Sequence, residues 1–314
     1  MSKQFDLICI GMALIDSIIR GFDPKPISAS GYRAASASLN VGGEAVNEAV
    51  AASKLGAKTA IVCALGRDDA GGMVRAFLRQ YGVDESRASE SPATPVTTMF
   101  VDAQGNRKSI TNEAHRYNFH PERTPAAFAD ARGLILGSLF RAPFDDPQVI
   151  RQVLTAAKAN GQTVFADTKL PNFRVLSLDD VSDSLPLVDC ITPNEDEARY
   201  FTGKTEPEDM ADVFLALGVG RVIVKLGGKG CLMKTKDKTV RLPAYDIQAV
   251  DATGAGDNFV AGFASEILRG TPEGEALRFA NACGAICATA VGAGAALRSR
   301  EQVLQFMEET PLKA

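Results

Sequence analysis

The stretch DATGAGDNFVAGF, residues 251–263, places an acid among small residues directly before an apolar helical pattern. Glycines at 254 and 256 leave the backbone N–H groups of a helix N-terminus open to an anion. Asp257 could accept a proton beside that anion, and the positive end of the helix favours its negative charge. A structural reading also exists, in which the glycines permit a turn and Asp257 begins the helix. The density of small residues around an acid favours the chemical interpretation.

A second glycine pair lies in NVGGEAVNEA, residues 40–49. Gly42 and Gly43 precede a helical pattern, so a ligand could approach the backbone closely there. Asn47 falls in the first turn of that helix, where its amide can donate and accept hydrogen bonds with hydroxyl groups. Taken alone, the stretch is more typical of a glycine loop followed by a polar capping turn.

A third candidate is ITPNEDEARYFTG, residues 191–203. Asn194 and Glu197 have the spacing of a capping box, which is a structural role at a helix start. The same two side chains could organise a hydrated Mg²⁺, because this ion prefers oxygen ligands and keeps much of its water. The residues by themselves leave both interpretations open.

The fourth candidate is VKLGGKGCLM, residues 224–233. An apolar strand ends at Lys225, and Gly227 and Gly230 then allow a loop that could lie flat against a nucleotide. Glycine-rich turns between strands are common, so this loop is a weak indication alone.

The elements that must position these residues alternate between short apolar runs and amphipathic helical patterns. Continuous apolar runs predict buried strands of a mainly parallel sheet with helices on both faces, an α/β fold with a Rossmann-like three-layer sandwich. We expect the 314 residues to form one such domain. The predicted strands and helices are FDLICIGMA, a helix over 44–56, TAIVCALG, a helix ending at Gly82, GLILGSL, a helix around 147–160, TVFAD, VDCITPN, a helix over 195–202, RVIVKLG, GCLMKT and two or three final helices.

Two segments do not follow this alternation of apolar strands and amphipathic helices. TPVTTMFVDAQGNRKSIT has two β-type stretches around a turn signal, which predicts a hairpin, and the polar segment near 22–43 contains strand-like pieces. We expect a small sheet built from residues of about 17–41 and 94–113, with a pair of decorated loops as the alternative.

Composition restricts the partners and the compartment. The chain is 46% apolar and 23% charged with a net charge of −4, which does not favour nucleic acid or an anionic membrane as a main partner. Its six cysteines lie mostly in apolar runs without a C-x-x-C pair, so we expect a reduced, cytoplasmic protein without disulfides or zinc. The N-terminal stretch lacks signal-peptide architecture, and we expect no membrane span.

Taken together, the four motifs resemble those of the ribokinase-like (PfkB family) carbohydrate kinases. GGEAVNEA is similar to that family's N-terminal glycine signature and DATGAGD to its catalytic signature, while NEDE and KLGGKG match its Asn-x-x-Glu motif and nucleotide loop. The resemblance covers nearly the whole chain. It implies a Rossmann-like domain that binds ATP with Mg²⁺, a β-sheet lid over a sugar, and phosphorylation of a sugar or polyol hydroxyl.

The resemblance also implies roles for individual residues. Asp257 would be the general base, and the N–H groups of Gly254, Ala255 and Gly256 would hold the γ-phosphate charge. The resemblance further implies that the sugar is bound by Asp16, Gly42, Gly43, Glu44 and Asn47, and the nucleotide by Asn194, Lys225, Gly227, Gly230 and Asn281. Glu197 would hold Mg²⁺ through water. Asp251 would lie near a monovalent cation, as in relatives that potassium activates. Lid strands in this family often pair between subunits, which predicts a homodimer with a monomer as the alternative.

Several positions depart from the family pattern. Glu44 stands where ribokinases proper carry Lys, which puts ribose in doubt and would repel an acidic sugar if Glu44 faced the pocket. The segment AVGAGAALRS follows the pattern only loosely, which weakens the inference of potassium. In FADTKLP, Asp167 and Lys169 follow a strand near the expected cleft, and Lys169 fits either a phosphate contact or a surface position.

Other functions remain as alternatives. Within the family these are ribokinase, fructokinase, nucleoside kinase and ketodeoxy-sugar-acid kinase, among which the predicted site residues do not choose. A non-catalytic sugar or nucleotide binder is disfavoured because Asp257 and its glycines are retained. A nicotinamide-binding enzyme is disfavoured because CIGMALID lacks the G-x-G-x-x-G turn after the first strand.

Overall fold

The computed structural model describes residues 3–21, 34–102, 107–112 and 119–313. Their strands are β1 (Phe5–Ile10), β2 (Leu14–Arg20), β3 (Ser36–Gly42), β4 (Thr59–Val62), β5 (Ala64–Gly66), β6 (Ser89–Ser91), β7 (Val96–Val101), β8 (Arg107–Thr111), β9 (Ala131–Leu139), β10 (Thr163–Thr168), β11 (Cys190–Ile191), β12 (Val222–Lys225), β13 (Cys231–Lys234) and β14 (Thr239–Leu242). Their α-helices are α1 (Glu44–Lys54), α2 (Asp69–Gln80), α3 (Pro147–Ala159), α4 (Glu195–Thr202), α5 (Pro207–Ala216), α6 (Ala255–Arg269), α7 (Glu273–Ala288) and α8 (Arg300–Glu309).

The large sheet has eight strands in the order β14-β13-β12-β11-β10-β9-β1-β4. Its pairs from β4 to β12 are parallel, and β13 and β14 extend it as antiparallel strands. One apolar core packs α1, α6 and α7 on one face, and a second packs α3 and α5 on the other. Burial on both faces explains why these strands are continuously apolar, and the predicted α/β fold is confirmed.

The small sheet has the order β3-β2-β7-β8, in which β2 and β7 are parallel and the other pairs antiparallel. The predicted separate small sheet is therefore confirmed, and the alternative of decorated loops is wrong. The turn of the β7–β8 hairpin, at 103–106, and residues 22–33 lie outside the described residues. A two-stranded sheet of β5 and β6, the edge strand β14 and helix α5 were not expected from the sequence.

Across the ranges given above, no helix is both long and apolar enough to cross a membrane. The six cysteines are all buried as free thiols. They lie in the strand runs and in α7, where the sequence pattern indicated small apolar residues.

Candidate active site

Asp257 lies in the first turn of α6, with 7% of its surface exposed. The Asn47 side-chain amide donates a hydrogen bond to Asp257 Oδ2 at 2.7 Å, although the two residues are 210 positions apart. Lys169 Nζ lies 3.5 Å from Asp257 Oδ1. The carboxylate is therefore oriented by one amide and one ammonium, and it lies where α1, α6 and the end of β10 meet.

The start of α6 is shaped by Gly254, which has a φ of 76°. A Cβ there would come within 2.5 Å of Ala293 Cβ, so a larger residue would displace the neighbouring loop. The Ala255 N–H closes a turn by donating to Ala252 O at 3.1 Å. In the described part of the chain, the Gly254, Gly256 and Asp257 N–H groups have no acceptor, as is usual for a helix start. The Ala255 N–H was predicted to bind an anion, but it already has an acceptor in this structure.

A network of ion pairs borders Asp257. Asp167 is fully buried, and its two oxygens receive Lys225 Nζ at 2.5 Å and Lys169 Nζ at 2.8 Å. The Thr192 hydroxyl donates to Asp167 Oδ1 at 2.9 Å. Lys169 is therefore part of this buried network, since only 25% of its side chain is exposed, and the surface alternative for this lysine is wrong.

The network sets the charges of its members. Burial acts to raise the pKa of Asp167, but the ammonium groups of Lys169 and Lys225 outweigh it and lower that pKa. Burial acts to lower the pKa of Lys169, but Asp167 and Asp257 outweigh it and raise that pKa well above its usual range. Asp167 and Lys169 therefore form an ionised pair at the carboxyl end of β10.

Asn194 and Glu197 form a complete capping box at the start of α4. Glu197 Oε2 also accepts a hydrogen bond from the Thr168 hydroxyl at 2.8 Å. Glu197 Oε1 receives no hydrogen bond within the described residues, and burial raises the pKa of this carboxyl. The structural reading of the motif is thus realised, and one carboxylate oxygen still fits a hydrated cation such as Mg²⁺.

A cavity of about 500 Å³ opens beside the start of α6. One end is polar, with Asp257, Lys169 and Lys225, and the other end is lined by small and apolar residues that include Tyr245 and Ala285. The Asn281 amide near that apolar end donates to Pro243 O at 2.9 Å. The predicted site residues on this cavity are Asn194, Lys225, Gly227, Gly230, Gly254, Ala255, Gly256, Asp257 and Asn281.

The predicted sugar-binding residues adjoin the cavity without lining it, and Asn47 connects the two through its bond to Asp257. Asp16 is half-buried on β2, has no hydrogen-bond partner within the described residues, and has a pKa raised by burial. Glu44 Oε1 accepts the Met12 N–H at 2.8 Å, so this carboxyl braces the turn after β1. Gly42 and Gly43 lie between them.

These two glycines permit close approaches. A Cβ on Gly42 would lie 2.4 Å from Asp16 Oδ2, and a Cβ on Gly43, whose φ is 101°, would lie 2.3 Å from Met12 O. Larger residues would displace the Asp16 carboxylate and the turn after β1.

Asp251 holds the loop that leads into α6. Its Oδ1 accepts hydrogen bonds from the Thr253 N–H at 3.0 Å and the Thr253 hydroxyl at 2.6 Å. Its Oδ2 accepts one from the Gly292 N–H at 3.2 Å. Asp251 therefore joins the loop before α6 to the loop after α7.

Sequence reasoning missed Glu48, which is fully buried at the polar end of this site. Oxygens of Glu48, Asp167 and Asp257 lie within 4.8 Å of one another. The Lys169 ammonium contacts two of these three carboxylates, those of Asp167 and Asp257. The available signal was an acid one helical turn after Glu44, between the apolar positions 45–46 and 49–52 of the helix.

Comparisons with known proteins define the class. Residues 4–300 match the pfkB family of carbohydrate kinases. The chain is 30% identical to a ribokinase of Haemophilus influenzae over 277 residues, covering 85% of this chain and 87% of that one. It is also 30% identical to fructokinase-1 of Oryza sativa subsp. japonica over 286 residues, covering 85% and 88%. The chain belongs to the pfkB family of carbohydrate kinases.

Solved structures agree with this assignment. Ribokinase of Arabidopsis thaliana, solved with ribose and ATP, superposes with a TM-score of 0.82 at 26% identity, covering 98% of this chain and 99% of that one. A putative ribokinase II from E. coli, solved with ATP and Mg²⁺, has a TM-score of 0.78 at 25% identity, covering 98% and 99%. The fold is ribokinase-like along essentially the whole chain.

Proposed function

We propose that this protein transfers the γ-phosphate of ATP to a hydroxyl of a neutral sugar or closely related polyol, with Asp257 as the general base. The observation that carries the proposal is the position of Asp257. Its carboxylate lies at the polar end of a 500 Å³ cavity, held by Asn47, beside helix N–H groups that have no acceptor among the described residues.

The proposed reaction needs little covalent chemistry from the protein. Asp257 takes the proton of the attacking hydroxyl, whose oxygen bonds to the γ-phosphorus as the bond from that phosphorus to ADP breaks. The N–H groups of Gly256 and Asp257 offset the developing negative charge, together with the ammonium groups of Lys169 and Lys225. Asn47 keeps the Asp257 carboxylate directed at the hydroxyl.

We place the nucleotide along the cavity. Gly227 and Gly230 bring the loop after β12 against it, with Lys225 and Asn194 near the phosphates and Asn281 near the base. The apolar end, with Tyr245 and Ala285, suits a planar ring. Support comes from the relatives solved with ATP.

Glu197 is the residue we expect to hold Mg²⁺, through water, by its Oε1. The bound ion supplies positive charge that neutralises the phosphate oxygens. We also keep Asp251 as a candidate near a monovalent cation such as K⁺, because its loop borders the start of α6.

For the sugar we propose Asp16, Gly42, Gly43, Glu44 and Asn47 as the surrounding residues. The Asp16 carboxylate, which lacks a partner in the described structure, suits a hydroxyl donor and disfavours an acidic sugar. Two relatives are named ribokinase and fructokinase, and the sugars in those names are neutral. Nucleoside and ketodeoxy-sugar-acid kinases stay as alternatives within the family.

We propose further that the protein is a homodimer through the small sheet. Leu39 and Ile110 are 59% and 69% exposed, and the strand registers align them with Ser17 and Thr98 in one row across all four strands. Exposed apolar side chains on one face of a sheet are suited to a second copy of the same chain.

The test is ADP release from MgATP across neutral sugars, sugar acids, polyols and nucleosides, with and without K⁺. Turnover on a neutral sugar should fall roughly 10²- to 10⁴-fold in Asp257→Asn, because the base is lost. The exposed Asp237→Asn serves as the matched control and should keep wild-type turnover. Turnover that survives in Asp257→Asn would refute the assigned base, and turnover confined to sugar acids would refute the substrate class.

A further inference from the structure

Glu48 is a fully buried acid on α1. Among the residues that the structure describes, neither of its carboxyl oxygens has a hydrogen-bond partner. Glu266 on α6 is almost as deeply buried, but Arg300 approaches its two oxygens at 2.7 and 3.0 Å and the Thr271 hydroxyl donates at 2.7 Å. Among the described residues, Glu266 is therefore a buried glutamate that is paired with an arginine, and Glu48 is a buried glutamate that accepts no hydrogen bond.

The surroundings of Glu48 are mostly acidic. A Cβ on Gly137 of β9 would lie 2.8 Å from Glu48 Oε2, so the carboxyl is pressed between α1 and the sheet. The titratable or charged groups that face it are Cys9 on β1, Glu44 on α1, Asp167 on β10, Lys169 after β10 and Asp257 on α6.

The single ammonium among these groups is already engaged. Lys169 lies 2.8 Å from an Asp167 oxygen and 3.5 Å from an Asp257 oxygen. An ionised Glu48 would add a third negative charge within 4.8 Å of the other two, without a hydrogen bond from any described residue. A buried carboxyl in that position is much less costly when it is neutral.

We infer that the Glu48 carboxyl holds its proton at neutral pH and is neutral beside the Asp257 carboxylate. Two acids that share a site cannot both ionise readily. Burial raises the pKa of Glu48 well above its usual range, and the charges of Asp257 and Asp167 raise it further, in agreement with this arrangement. Glu48 is thus a positioning residue that acts on the site through Asp257.

The arrangement has a consequence for catalysis, which rests on the proposed function. A neutral Glu48 lets Asp257 carry its charge, and no additional negative charge opposes the approaching γ-phosphate. When the pH rises enough to ionise Glu48, the added charge repels that phosphate. The pH profile of kcat therefore has an alkaline limb that belongs to Glu48.

Infrared difference spectroscopy tests the proton directly and needs no activity. At neutral pH the wild type should show the carbonyl stretch of a protonated carboxylic acid, which Glu48→Gln loses. Glu266→Gln is the matched control, because it removes a buried but ionised carboxylate and should leave that band unchanged. A wild-type spectrum that loses no protonated band in Glu48→Gln overturns the inference, whether or not the protein is a kinase.

Kinetics test the consequence. The kcat profile of Glu48→Gln should lack the alkaline limb that the wild type shows. A limb that persists in Glu48→Gln would refute its assignment to Glu48. If Glu48→Gln does not fold, Glu48→Met replaces it, since a site that already holds a neutral carboxyl accepts a neutral side chain of similar length. Failure of both variants to fold would overturn the inference.

Discussion

The carboxyl edge of the large sheet and the small four-stranded sheet differ in how their polar groups are satisfied. At the carboxyl edge, Asp167 is fully buried and receives two ammonium groups and one hydroxyl. On the small sheet, Asp16 is half-buried without a partner in the described structure, and every β3 residue from 36 to 40 is exposed. At the carboxyl edge, the charge of Asp167 is therefore paired within the chain. On the small sheet, the carboxylate of Asp16 has no such pairing among the described residues.

Under the proposed function, this difference would divide the work between the two regions. Phosphate chemistry needs fixed charges, and strand ends buried under helices hold them without reorganisation. Substrate choice needs groups that become satisfied only when the substrate or a second subunit covers them. Substitutions at the carboxyl edge should therefore change stability and turnover together, and substitutions on the small sheet should change binding alone.

Among the substitutions that compare these two regions, the largest effect is expected at Lys169. Lys169→Met leaves the buried Asp167 and Asp257 without one cation, which should lower kcat on the order of 10²-fold and the free energy of unfolding by about 3 kcal/mol. Urea unfolding and steady-state kinetics measure the two effects. Lys229→Met is the control, because Lys229 pairs with Glu195 at the surface with 72% of its side chain exposed and should cost little. Equal, small effects in both variants would contradict a balanced network.

The next largest effect is the contribution of Glu48 to the pH dependence of the free energy of unfolding. Its pKa is higher in the folded chain than the unfolded value near 4.5, so the folded protein keeps a proton that the unfolded chain releases. The free energy of unfolding of the wild type should then fall, relative to Glu48→Gln, by up to about 1.4 kcal/mol per pH unit as the pH rises above 4.5.

At Glu266, the free energy of unfolding should change with pH in the opposite direction. Burial acts to raise the pKa of Glu266, but Arg300 and Thr271 outweigh it and lower that pKa. Its contribution to stability is present above the unfolded pKa and is lost as the pH falls. Urea unfolding between about pH 3 and pH 8 should therefore give the two variants trends of opposite direction, for Glu266→Gln mainly below pH 4.5 and for Glu48→Gln above it. Parallel trends would refute the difference between the two glutamates.

A smaller effect is expected at Asp16. Asp16→Asn removes a charged hydrogen-bond acceptor and should raise KM for the sugar roughly 10- to 100-fold while leaving the melting temperature unchanged. Asp237→Asn is the control, because it makes the same change at an exposed position between β13 and β14, outside the small sheet. A fall in stability without a change in KM would place Asp16 with the structural network instead.

The smallest effect on the folded chain is expected at Ile110. Ile110→Lys should change the free energy of unfolding by less than about 0.5 kcal/mol, because the side chain is 69% exposed. It should nevertheless convert the proposed dimer to a monomer in light scattering. Val175→Lys, at a similarly exposed loop residue, should leave the mass unchanged. A monomeric wild type would refute the dimer.

Much of the fold was predictable from local patterns. Continuous apolar runs identified the strands of the large sheet, and Gly82 and Gly203 mark the ends of amphipathic helices as expected. The two-residue strand β11 lies within the predicted run VDCITPN, whereas the four-residue edge strand β14 was not expected, because so short a segment carries no period. The hairpin of β7 and β8 followed from its turn signal.

The candidate site was predictable only where its residues belong to short motifs. The glycines before α6 and the Asn194–Glu197 pair carry their signal in neighbouring positions. The link from Asn47 to Asp257 spans 210 positions and arises because α1 and α6 pack side by side. No local pattern encodes such a contact.

The sequence by itself determined the order of strands and helices, the acid at the start of α6 and the family to which the chain belongs. Only the tertiary structure decided that Glu48 lies without a partner beside Asp167 and Asp257, and that Lys169 is inside the network. The physical reason is that charge depends on neighbours and on exclusion of water, and both are set by packing between elements distant in sequence. Parallel strands bring their carboxyl ends to one edge, and the helices that cover that edge decide which acids there can ionise.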